Sequence, residues 1–177
     1  MRTTRSLISR AALGATIIAG FAAVTAATGV THDVAMFGGP WISIESPVNP
    51  YDEATRGSLF LVHTFHHGAK VDLPVTAKAE GLVDGQRKSI ALTLSKASQP
   101  GTLGVRNQWG DKGTWMVLAS TSEHGGTVQA AVEINADGSV GKVSVPSASG
   151  RPRLLTTAEI DRGLRDRAGA PMAVGGR

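Results

Sequence analysis

Residues 114–145 read TWMVLASTSEHGGTVQAAVEINADGSVGKVSV. Trp115, Val117 and Ala119 alternate with Met116 and Leu118 before Gly125 and Gly126 interrupt the run. Val128, Ala130, Val132 and Ile134 then recur at every second position, and Asn135-Ala136-Asp137-Gly138 leads into another extended stretch over 139–145. A period of two places successive side chains on opposite faces of a strand, so each row predicts one buried face. Asp-Gly supplies the positive-φ position that a tight hairpin needs. The whole stretch predicts consecutive antiparallel strands.

The pattern continues upstream. Residues 41–45 alternate and stop at Pro47 and Pro50. Residues 58–66 are apolar on both faces at first, as expected of a central strand. Residues 74–80 place Val75, Ala77 and Ala79 on one face, and 89–96 place Ile90, Leu92 and Leu94 inward. Leu103 and Val105 begin a further strand. Asp84-Gly85, Pro100-Gly101 and 110–113 supply the connections. The predicted fold is all-β: an immunoglobulin-like antiparallel sandwich of about seven to eight strands. It occupies residues 41–146.

The two ends differ from this middle. Arg2, Arg5 and Arg10 precede an uncharged, Ala- and Ile-rich run that closes on Ala26-Ala27-Thr28-Gly29. This is the order of a secretory signal peptide, and the run is also just long enough for a membrane anchor. Residues 1–29 are therefore expected to export the chain to the periplasm or cell surface, with the membrane touched only if the segment stays uncleaved. Residues 30–40 read as a spacer. Residues 147–177 read as a flexible basic tail with a short helix: Thr156 and Glu159 form a capping box, and Ile160 and Leu164 follow one turn apart.

Composition narrows the chemistry. The chain has no cysteine, which removes thiol catalysis, cysteine zinc sites and iron–sulfur clusters. The formal charge of +4 comes from the ends, because residues 30–150 carry nine Lys or Arg against eleven Asp or Glu. Such a middle lacks the basic footprint of nucleic-acid binding. No Gly-x-Ser-x-Gly elbow or phosphate-cradling glycine loop is present, and Asp52-Glu53 reads as solvated surface. The expectation is a protein that is not an enzyme.

Residues 41–145 resemble the YtkA-like group of exported bacterial domains, relatives of FixH-type and CopC-like immunoglobulin sandwiches. Three stretches carry the resemblance. Ser46-Pro47-Val48-Asn49-Pro50 precedes the strand at 56–62, Gly81-Leu82-Val83-Asp84-Gly85 follows an alternating strand, and Trp109 to Leu118 resembles the late "G-x-W" strand start. The resemblance implies no shared enzymatic activity. It implies copper as an option, since CopC-like members bind copper through histidines, but their ligand pattern does not map here residue by residue.

His63, His66, His67 and His124 are the candidate metal ligands, because imidazole suits copper, zinc or nickel. Alternation opposes one site for all of them: His63 and His67 face one way and His66 the other. A shared ion needs the strand to end near Phe65 so that His66-His67-Gly68 curls back, or needs His124 to approach from across the fold. His32 would also be the third residue of a chain cleaved after Gly29, a position that can help wrap Cu(II). Trp41, Trp109 and Trp115 read as packing residues or a ligand face. The arginines of the tail, around Ile160 and Leu164, are candidates for docking on a partner. Two functions follow from these residues: a non-catalytic exported module that presents its surface to a protein partner, or a periplasmic copper-binding protein.

Overall fold

The computed structural model describes residues 39–169, so the expectations for residues 1–38, His32 among them, and for 170–177 lie outside the described residues. The elements in chain order are β1 (Pro40–Glu45), β2 (Phe60–His66), β3 (Ala69–Lys70), β4 (Val75–Val83), β5 (Gln86–Leu92), β6 (Ser95–Lys96), β7 (Thr102–Val105), β8 (Thr114–Glu123), β9 (Gly126–Ile134), β10 (Val140–Ser144), β11 (Ser147–Ala148), β12 (Arg151–Pro152) and α1 (Thr157–Ala168). Eight of the strands have four residues or more, the number that the spacing of turns predicts.

All pairings are antiparallel. One sheet runs β1-β2-β7-β6 with β3 folded back on β2, and the other runs β10-β9-β8-β4-β5. This is the immunoglobulin strand order, with β10 added outside the last strand. Between the sheets lie Ile42, Phe60, Val62 and Val105 from the first, and Ala77, Ala79, Trp115, Val117, Ala119, Val128, Ala130, Val132 and Ile134 from the second. The inward rows read from the sequence are the rows that pack.

The strand expected over 89–96 is two strands in two sheets, β5 and β6. Leu92 and Leu94 both pack on the core, so the alternation runs through the crossing without a break. The chain changes sheets at Thr93, where its N–H and C=O are both bound by the Gln108 side chain. Gly81 allows another close approach: a Cβ there would lie 2.3 Å from the Trp115 ring.

Residues 147–169 differ from the expected flexible tail. β11 and β12 form a hairpin, and α1 lies on the outer face of the second sheet. Ile160 and Leu164 pack there against Met116, Leu118 and Ala131. This explains why β8 is apolar on both faces: one faces the sandwich and the other faces the helix. Thr156 and Glu159 form the capping box that the spacing predicts. The Arg167 guanidinium donates to the carbonyls of Trp115 at 3.0 Å and Ile134 at 3.3 Å, and burial lowers its pKa against the pull of Glu133. A helix too short to persist alone in water is thus held by tertiary contacts.

The cap also has an acid limit. The Arg153 guanidinium, followed by the Thr156 N–H and hydroxyl, holds the Glu159 carboxyl down at about 2 from an ordinary 4.5. A depressed folded-state pKa stabilises above the unfolded value, and the contribution is lost as pH falls through the folded value. Thermal unfolding between pH 4.5 and 2 should therefore show a steeper loss of stability in the wild type than in Glu159→Gln. Parallel slopes would contradict the role of this cap.

Candidate functional site

The inward rows of two facing strands become polar at the same end of the sandwich. In β2 the row is Phe60, Val62, Thr64, His66, and in β8 it is Trp115, Val117, Ala119, Thr121, Glu123. Thr64 and Thr121 direct their hydroxyls to the carbonyls of Val71 and Pro74, which satisfies them locally. His66 and Glu123 remain at the rim, with His66 Nδ1 3.3 Å from Glu123 Oε2.

Each of these strands ends in a two-residue hairpin of the same sequence type. His67 (φ 49°) and Gly68 (φ 80°) connect β2 to β3, while His124 (φ 47°) and Gly125 (φ 80°) connect β8 to β9. Positive φ at both central residues is the type I′ pattern, whose twist matches that of the flanking strands. Histidine tolerates this region better than most side chains do. Both tips therefore carry a histidine beside a strand-end ligand type, His66 in one and Glu123 in the other.

The two hairpins meet. The His66 and His67 rings lie 4.1 Å apart between centroids, and the His66 and His124 rings 6.1 Å apart. His124 Nε2 is 3.8 Å from Glu123 Oε1. Glu123 Oε2 is shielded from solvent, with His66 Nδ1 as its ion-pair neighbour. The strand runs through His66 before the chain turns back at His67-Gly68, and His124 comes from the turn between β8 and β9 of the other sheet.

His63 does not join them. It lies on the outer face of the first sheet, buried, with Nε2 2.8 Å from Glu45 Oε2 and Nδ1 3.1 Å from Thr102 Oγ1. Both ring nitrogens are committed across three strands, so the residue reads as a structural link. Glu123 is the member that the sequence reading missed. Its signal was available: it shares the parity of Trp115, Val117 and Ala119, and it precedes a His-Gly pair as His66 does.

Among the described residues no group of three or more His, Asp or Glu side chains is placed so that it could hold a metal ion. The donor chemistry nevertheless fits an ion such as copper or zinc, which accepts imidazole with carboxylate. The His124 side chain is 82% exposed, so its ring can turn toward an incoming ion without disturbing the core.

The other candidates resolve differently. Trp109 and Trp115 are in the core, and Trp41 is partly exposed. Asp52 accepts from the Ala54 N–H and Glu53 pairs with Arg56, so both serve their loop. Of the tail arginines, Arg153 pairs with Glu159 and Arg167 with backbone carbonyls, and the apolar helix face is already covered. A cleft of about 130 Å³ between α1 and the β4–β5 turn is lined by Leu82, Arg87, Asp161 and Arg165. That is below the roughly 300 Å³ at which small-molecule sites begin. Its Arg87 is already matched to Glu80 and Asp161.

Comparisons with family models, with curated proteins and with solved structures found no match for this chain.

Proposed function

We propose that the protein is an exported, non-catalytic binding module, and that its ligand is a divalent transition-metal ion, copper first. His66, His67 and His124 would hold the ion, with Glu123 supplying a carboxylate. One observation carries this reading: two hairpins distant in sequence place three imidazoles and a shielded carboxylate oxygen together at one end of the sandwich. Neutral imidazole and carboxylate are donors that copper and zinc accept, and the ion would be held rather than used for a reaction. The docking of a protein partner through the helix has less support, because Ile160 and Leu164 are buried against the protein's own sheet.

The test is calorimetric titration of the mature protein with Cu(II) and Zn(II), in a His32→Ala background so that an amino-terminal site does not contribute. His67→Asn and His124→Asn are the suitable variants, since Asn tolerates positive φ. Loss of one ligand should weaken binding roughly tenfold or more, at least as much as loss of a supporting partner does. His63→Gln should leave affinity unchanged. An affinity indifferent to His66→Ala, His67→Asn and His124→Asn, or no binding at all, would overturn the proposal.

A further inference from the structure

His63 stands on β2 inside the first sheet, with Ser43 of β1 opposite it on one side and Thr102 of β7 on the other. Its side chain is 7% exposed and both ring nitrogens have a partner: Nε2 lies 2.8 Å from Glu45 Oε2, and Nδ1 lies 3.1 Å from Thr102 Oγ1. Of the charged groups on the neighbouring strands, Glu45 of β1 pairs with His63, Lys96 of β6 pairs with Asp72, and Lys70 of β3 stands opposite Phe65.

The Thr102 hydroxyl has one proton and two acceptors within reach, His63 Nδ1 and the Pro100 carbonyl at 3.4 Å. The charge on the ring decides between them. In a neutral ring the Glu45 carboxylate selects the tautomer with its proton on Nε2, because a lone pair there would face a carboxylate oxygen at 2.8 Å. Nδ1 is then an acceptor, and the Thr102 hydroxyl donates to it. A protonated ring donates from both nitrogens. Nδ1–H then donates to Thr102 Oγ1, and the hydroxyl proton turns to the Pro100 carbonyl. Imidazole is the side chain that changes charge in this way between about pH 5 and 8.

The Pro100 carbonyl belongs to the same peptide as the Gly101 N–H, which donates to Asp72 Oδ1 at 2.6 Å. A bond accepted at one end of a peptide strengthens the bond donated at the other. We propose that His63, Thr102 and the 100–101 peptide form a proton-operated switch. A proton on His63 turns the Thr102 hydroxyl to the Pro100 carbonyl and tightens the tie between Gly101 and Asp72, in the segment ahead of β4. The Gly101 carbonyl also accepts from the Thr64 N–H at 2.8 Å, so the same turn holds the end of β2. The switch rests on these bonds alone and is independent of the metal reading above.

The test is a titration of the metal-free wild-type protein from about pH 8 to about pH 5, followed by nitrogen and amide-proton NMR. The His63 ring should start as the Nε2–H tautomer and gain a proton on Nδ1. The Gly101 amide proton should move downfield with the same midpoint. Thr102→Val should hold the Gly101 resonance still across that titration, and Thr102→Ser should restore its movement. If Thr102→Val does not fold, His63→Gln is scored in its place and should likewise hold Gly101 still. A His63 ring that keeps one protonation state over that range would overturn the switch. So would a Gly101 amide that is unmoved in the wild type, or that moves equally in the variant.

Discussion

Leu164→Ala should lower the unfolding free energy by roughly 2–5 kcal/mol, the range for truncating a fully buried leucine. Leu164 is 1% exposed and packs with Ile160 on Met116, Leu118 and Ala131. The loss is not confined to α1. A helix that short does not persist alone, so weakening its dock also exposes the outer row of β8, against which only the partly buried Leu82 and Leu155 would then pack in that cluster. Urea unfolding measures the effect, and Leu154→Ala is the internal control. Leu154 is 49% exposed, and a surface change of that kind should stay within about 0.5 kcal/mol. Equal midpoints for Leu164→Ala and wild type would mean that the helix is an appendage.

Gly101→Ala should be comparably severe, at roughly 2–5 kcal/mol from left-handed backbone strain and overpacking together. Gly101 has φ +63°, and a Cβ would lie 2.6 Å from the Val71 carbonyl oxygen and 2.8 Å from that of Thr64. Those contacts are with backbone, which cannot turn aside as a long side chain can. The position is also tied on both sides: its N–H donates to Asp72 Oδ1 at 2.6 Å, and its carbonyl accepts from the Thr64 N–H at 2.8 Å. Gly150→Ala separates the two causes. Gly150 has φ +75° with nothing within 4 Å, so it should lose only the backbone part, about 1–2 kcal/mol. Chemical denaturation of both variants gives the difference directly. Equal losses would remove the steric argument.

The sequence carried the sandwich because burial in a strand leaves a period of two, and rows such as Val128, Ala130, Val132 and Ile134 have no competing explanation. It was silent where two structures share one pattern. Leu92 and Leu94 keep step although the chain changes sheets between them, since both inner faces look onto one core. Met116 and Leu118 announced a second buried face without saying that α1 covers it, because strand and helix repeats lie far apart in the chain and need not resemble each other. Thr156 and Glu159 disclosed the cap, which is local, but not the Arg167 bonds to the carbonyls of Trp115 and Ile134, which are tertiary.

The histidines show the same division. Alternation separated His63 from His66 but grouped His67 with His63, whereas the turn that Gly68 marks puts the His67 ring beside His66; Gly125 marked the second turn. What alternation could not supply was the pairing of the two hairpin tips, which depends on β2 and β8 facing each other across the core. Glu123 went unseen for that reason. Its parity marked an inward position, and a carboxylate at an inward position at a strand end has a reason to be read together with the histidines nearby.

The most direct measurement is Cu(II) titration of the His32→Ala protein followed through its imidazole proton resonances. The account predicts that His66, His67 and His124 broaden together at substoichiometric Cu(II), while His63, held by Glu45 and Thr102, stays sharp. Broadening that begins at His63, or that leaves His124 sharp while His66 and His67 disappear, would contradict it.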